Sequence, residues 1–172
     1  MKKLLLSLCA SALITCGVQA AAPAQVTFTV VKFRPVTVAN PGTQYTDATI
    51  SLAAHPLVTL AGSATDAVLH PTAPVDFEIK IESADPRESY TPLGIVFEQN
   101  APAKGAKTDP QGKINFGPGR LNGTTLLVHD HFARKGPEYH YEFFVIIQRG
   151  SDGKIGIIDP GILHDSSDAS GH

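Results

Sequence analysis

From Val75 to Glu82 the chain alternates without a break, with Val75, Phe77, Ile79 and Ile81 on one set of positions and Asp76, Glu78, Lys80 and Glu82 on the other. A period of two residues places the two sets on opposite faces of a strand, so this stretch predicts a strand with a dry face and a wet face, as in an antiparallel sheet. The second strong signal differs in kind. Residues 143–148, FFVIIQ, form a continuous aromatic and β-branched run, which predicts a strand buried on both faces or in the middle of a sandwich, with Ile146 fully buried. Gly150-Ser151-Asp152-Gly153 follows and Ile155, Ile157 and Ile158 resume the apolar pattern. The short connection predicts an antiparallel hairpin. Asp159-Pro160-Gly161 is expected to end its pairing, because proline cannot donate to a ladder and glycine opens turn conformations.

The remaining apolar runs are short. Residues 26–30 predict a first strand, with Val31 and Phe33 shifting the phase as a bulge would. Residues 49–52, 57–60 and 67–69 read as brief edge strands between Pro56, Gly62 and Pro71, and residues 93–97, 114–116 and 124–128 as further strands. The polar stretch 100–112 reads as a mobile loop. With thirteen prolines, fifteen glycines and no sustained 3.6-residue period, the expected class is all-β with few or no helices. The architecture that fits is a single antiparallel β-sandwich, immunoglobulin-like or jelly-roll-like, ahead of a barrel-like variant. Short irregular strands and missing aromatic girdles argue against an outer-membrane barrel.

Composition adds an address. Lys2 and Lys3 precede an apolar run that closes on Val18-Gln19-Ala20, the pattern of a secretory signal peptide over residues 1–20, with a mature domain over 21–172 and a disordered tail from about residue 165. A lipid-anchored alternative fits poorly, because Leu8 before Cys9 and Thr15 before Cys16 are not small residues. The expected location is the periplasm or the medium, and no second apolar span follows to cross a membrane. Cleavage removes both cysteines and the only methionine, so disulfide staples are excluded from the mature chain, and the formal charge moves from −2 to −4. That mild acidity argues against nucleic acid or anionic membrane as the partner, leaving an unknown protein or small ligand.

Candidate chemistry concentrates between Gly123 and His140. His129 and His131 are two apart, so on a strand they share a face on which two imidazoles can hold one divalent metal ion, while Asp130 points the other way. A strand returning after residues 132–137 would bring Glu138, His140 or Glu142 opposite them. The competing reading is of surface or loop histidines: with seven histidines in 172 residues, one His-x-His arises by chance roughly one time in four. His55 and His70, each beside a proline, read as turn residues, and His172 as a tail residue. A blue-copper site would need a thiolate that the mature chain lacks. Gly117-Pro118-Gly119 is a turn rather than a phosphate loop, and no Gly-x-Ser-x-Gly elbow supports a serine nucleophile. Without tryptophan, and with Tyr139 and Tyr141 read as packing partners, sugar stacking is disfavoured. Asn122-Gly123-Thr124 is a formal glycosylation sequon in a eukaryotic secretory pathway and otherwise a turn.

Gly123, His129 and His131 match the opening of the first cupin motif in spacing, with Glu138 in the place of the cupin glutamate, and Gly161 with His164 resembles the Gly-x-x-His of the second. That resemblance implies a zinc, copper, iron or manganese ion held by His129, His131, Glu138 and His164; six residues separate His131 from Glu138, more than the motif has. The closing segment, Tyr141 to Ile147 through a polar turn to Gly156-Ile157-Ile158-Asp159-Pro160-Gly161-Ile162, resembles the final hairpin of the DP-EP family of small bacterial proteins and, more distantly, the AidA/PixA inclusion-body proteins. The likeness runs from about Tyr90 onward. It implies a compact β-sandwich and no catalytic residues. The expectation is therefore an exported binding or structural protein without a cofactor, more plausibly not an enzyme, with a metal-dependent cupin-like protein as the alternative.

Overall fold

A computed structural model describes residues 22–37, 45–100, 108–134 and 139–159, and the backbone of 161–163. Eleven strands run through them without a helix: β1 (Ala24–Lys32), β2 (Asp47–Leu52), β3 (Val58–Ser63), β4 (Asp66–Pro71), β5 (Val75–Ser83), β6 (Tyr90–Gln99), β7 (Arg120–Asn122), β8 (Thr125–Asp130), β9 (His140–Arg149), β10 (Ile155–Ile158) and β11 (Gly161–Leu163). One sheet has the order β2-β1-β5-β8-β7; the other joins β10 and β11, along one side of β9, to β4 and β3, with β6 on the opposite side of β9. The two form a β-sandwich, as the short strands predicted.

The core lies between the sheets. Val26 and Phe28 of β1, Phe77 and Ile79 of β5 and Leu126 and Val128 of β8 face Leu69 of β4 and Phe143, Val145 and Ile147 of β9, each at most 3 % exposed. β5 realises its alternation residue by residue, with Val75, Phe77, Ile79 and Ile81 all buried. Its neighbours differ from the expected pattern, since β5 is antiparallel to β8 but parallel to β1, and β11 is parallel to β4, making both sheets mixed. The phase shift near Val31 is real, a register irregularity between Val30 and Lys32 where β1 meets β2.

β9 and β10 form the predicted antiparallel hairpin, Ile155 opposite Gln148 through Ile158 opposite Val145. The strand lies in the middle of a sandwich sheet, one of the two expected settings, and the expected full burial of Ile146 is corrected. Tyr141, Phe143, Val145 and Ile147 point inward, whereas Phe144 and Ile146 alternate with them and are only half-buried. On the outer face Tyr45 stacks on Phe144 at 5.8 Å, while at the inward-facing end of the sheet Phe33 stacks on Tyr90 at 5.6 Å, and Val36 and Thr46 donate backbone hydrogen bonds to the carbonyls of Ile155 and Ile157. Pairing also does not end at Asp159. It is interrupted there and resumes where Gly161, Ile162 and Leu163 face Glu142, Tyr141 and His140.

Three smaller expectations change. Residues 114–116 form a turn with one bridge, Phe116 to Asp130, rather than a strand, and β7 takes the edge place beside β8. His70 lies inside β4 opposite Thr59, not in a turn. Of the presumed loop 100–112, residues 101–107 lie outside the described residues, but Asp109 and Gly112 are buried. Residues 1–20, expected to be a signal peptide, and those from 165, expected to be a tail, also lie outside the described residues.

Candidate functional site

β8 carries His129 and leads directly into His131. Its inward residues Leu126 and Val128 anchor it in the core, which turns His129 outward and Asp130 inward. His131 follows the strand end and is also exposed, and the two rings lie 4.6 Å apart between centroids at 73°. Sharing a face is what their i, i+2 spacing predicted. Register brings a third group that local spacing did not reveal: Asp76 of β5 is paired with His129, and its Oδ1 lies 2.7 Å from His129 Nδ1.

The backbone under the pair is held from below. Asp130, fully buried, accepts the Phe132 amide at 2.8 Å, and Phe132 takes the left-handed conformation with φ of 48°. The His131 amide donates to the Asn115 carbonyl at 2.6 Å and the Gly117 amide to that of His129 at 2.8 Å. Asn115 is itself 0 % exposed. Its side-chain amide donates to the Arg134 carbonyl at 2.9 Å and the Tyr141 hydroxyl at 3.0 Å, and its Oδ1 accepts the Arg134 amide at 2.6 Å. Tyr141 donates onward to Asp109 Oδ2 at 3.2 Å, which also accepts the Ile114 and Asn115 amides, while the Asp109 amide donates to Gln99. Burial, with the neighbouring Asp109 carboxylate, pushes the Tyr141 hydroxyl well above its ordinary range. Among the described residues no buried side-chain nitrogen or oxygen lacks a hydrogen-bond partner, so this network stabilises the fold rather than leaving orphaned groups. Phe116, stacked on Phe97 at 3.8 Å and edge-on to Tyr141 at 5.1 Å, closes it over.

Spacing alone did not disclose this network. Its signal is Asn115 set between Ile114 and Phe116 and flanked by Gly112 and Gly117. Gly112 has φ of 64°, and a Cβ there would stand 2.7 Å from Phe97 and 2.8 Å from Phe116, so the loop passes only as glycine.

The expected third ligands separate from the pair. β8 and β9 do not form a hairpin; the chain crosses between them from one sheet to the other. His140 and Glu142 therefore sit on β9 in the second sheet, beside a cavity of about 220 Å³ that Phe28, Ile50, Ala67 and Asp159 also line. There Glu142 faces Glu98 across the ladder. Shielding from water, together with Glu142 and Glu98, pushes the Asp159 carboxyl up to about 6, and burial with the same three carboxylates raises Tyr45. Glu138 and His164 lie outside the described residues, so the cupin-like quartet has only His129 and His131 within them. Among the described residues no three His, Cys, Asp or Glu side chains gather where they could hold a metal ion, and no helix is long and apolar enough to cross a membrane.

Fold and site together define a β-rich sandwich protein with an exposed histidine pair on one sheet and a carboxylate cluster on the other. No model of a known protein family matches the sequence, and no curated protein matches it. Its fold is similar to the crystal structure of the inclusion body protein PixA from Burkholderia cenocepacia, with a TM-score of 0.55 over 85 % of this chain and 96 % of that one at 10 % identity. The resemblance to AidA/PixA proteins thus extends to the fold.

Proposed function

We propose that this chain is exported and acts in the periplasm or outside the cell as a structural, self-associating β-sandwich protein rather than an enzyme, and that the edge of β6 is the surface by which copies bind. The observation that carries this reading is that β6, ten residues long, pairs with β9 on one side and with no other described strand. Such an edge offers unpaired backbone donors and acceptors, and proteins that remain apart blunt it with lysines, prolines, bulges or brevity. Here Pro92 and the register shift between Pro92 and Gly94 blunt only the first third. No charged residue occurs from Tyr90 to Phe97, and Leu93 and Val96 are 42 % and 51 % exposed.

A second copy is the occupant because an antiparallel strand pairs with itself about a two-fold axis, which makes one patch serve both partners. An axis through Val96 sets the Val96 side chains of the two copies against each other, an apolar cross-strand pair. The similar solved structure is described as an inclusion body protein, and a chain whose copies join edge to edge fits that description. The role needs no cofactor. Export is supported by the Lys2-Lys3 start, the apolar run and Val18-Gln19-Ala20.

The test uses tag-free protein recovered from the periplasm or medium, whose intact mass is expected to begin at Ala21. Sedimentation of this material is expected to show concentration-dependent dimers or larger assemblies between about 1 and 100 μM, the range of modest interfaces. Val96→Lys combined with Leu93→Lys is expected to leave monomers. A wild-type monomer throughout, or assembly unchanged by the double substitution, would overturn the edge; a lipid-modified Cys16 as the first residue would overturn free export.

A further inference from the structure

We propose that His129 and His131 form an open two-histidine site for a divalent transition metal ion, copper(II) in preference to zinc(II), with Asp76 as its orienting residue and water completing the coordination. This is independent of the β6 edge, which lies in the other sheet.

The argument starts from the hydrogen bond between His129 and Asp76. An ionised carboxylate only accepts, so the 2.7 Å contact requires the proton on His129 Nδ1. In a neutral ring this leaves the Nε2 lone pair directed away from Asp76, the arrangement in which a carboxylate fixes the tautomer and orientation of a ligating histidine. β5 and β8 set that contact through their register, Asp76 opposite His129, so the ring is held by the sheet and not by a loop.

His131 supplies the second nitrogen. Two imidazoles bound to one ion at about 2.0–2.1 Å on adjacent corners bring their ring centres to roughly 4.5–5 Å, and the observed separation is 4.6 Å. The short spacing suits the right-angled corners of a tetragonal copper(II) shell better than the wider tetrahedral angle of zinc. Imidazole donors suit both ions, and at equal geometry copper(II) binds more tightly. Gly117 lies beside both rings, where a Cβ would stand at ordinary contact distance, 3.6 Å from His129 Cβ and 3.7 Å from His131 Nε2. Both rings are exposed to solvent, so an ion reaches them without any opening of the fold.

The protein thus contributes two nitrogen donors among its described residues, and the remaining positions of the ion stay with water or an exchangeable ligand. Such a site captures or carries an ion rather than building it into the core, and the fold does not depend on it.

Titration calorimetry of the tag-free mature chain with copper(II) chloride, and separately with zinc chloride, tests this in a weakly coordinating buffer. One equivalent of copper is expected to bind, at least tenfold more tightly than zinc. His129→Ala and His131→Ala are each expected to weaken copper binding by tenfold or more, and Asp76→Ala by about tenfold, the usual effect of losing an orienting partner. His55→Ala, whose ring contacts the Ala22 carbonyl and Leu57 amide instead, is expected to change nothing. Frozen-solution paramagnetic resonance of the copper complex is expected to show two nitrogen donors in the wild type and one in either histidine variant. Absence of a stoichiometric heat, affinity unchanged in the His129→Ala/His131→Ala variant, or an unaltered nitrogen count would each overturn the site.

Discussion

Asp109 and Asp159 are two carboxylates in opposite situations. Asp109 is 4 % exposed, yet its Oδ2 accepts from the Ile114 and Asn115 amides and the Tyr141 hydroxyl. Asp159 is far more open to solvent as a residue, yet shielding of its carboxyl from water, with Glu142 and Glu98 beside it, pushes that carboxyl up to about 6. Exposure of the residue as a whole does not decide what a carboxylate costs the fold; how far its oxygens are shielded and which groups face them do. One region spends its polar atoms on holding a loop, the other holds like charges together beside a cavity.

The contrast breaks most sharply at Asn115. Asn115→Ala removes two donors and one acceptor from a fully enclosed site, leaving the Arg134 amide and carbonyl without those bonds, and is expected to cost about 3 kcal/mol in urea unfolding, from the penalty of buried unsatisfied groups. A loss below about 1 kcal/mol would mean the network adds nothing to stability. Tyr141→Phe is the finer cut, because the ring keeps its packing on Phe116 and only the hydroxyl goes; about 1–2 kcal/mol is expected by the same measurement. At the other region the sign reverses. The folded chain holds the Asp159 proton more tightly than the unfolded chain does, so ionisation destabilises the fold, and stability contributed by this group falls as pH rises from about 4 to about 6. Asp159→Asn is therefore expected to melt at the same temperature as the wild type near pH 4 and slightly higher at pH 7.5. The gain should stay under about 1 kcal/mol because water screens so open a group. A variant less stable at pH 7.5 would show that Asp159 is held by attraction, not repulsion.

These regions also mark how far the sequence carries. β5 was legible because one face is wet and the other dry, so hydropathy and position coincide at every residue. β9 was legible as a strand but not in its burial, since Phe144 is apolar for a different reason, Tyr45 stacking on its outer face. That neighbour is remote in sequence. The histidine pair could be read from i, i+2 spacing alone, whereas Asp76 depends on the register of β5 against β8, which no local pattern encodes. His140 and Glu142 were placed with the pair on the assumption that consecutive strands return side by side; here the connection changes sheets. Asp109 and Asn115 look like ordinary loop residues until the fold encloses them.

The pairings of β1 and β11 bear on when the protein can fold. Ala24 lies opposite Phe77, and Val68 opposite Gly161, so each sheet is closed by strands far apart in the chain. Loop closure on that scale must precede most of the gain from packing, which places such topologies among the slower folders, on the order of milliseconds to seconds. The second sheet cannot join β9 to β4 until β11 has been synthesised. For export as proposed above, a nascent chain that must stay extended to pass through a narrow channel would be served by that delay, since its earliest strand has no parallel partner until more than fifty residues have followed.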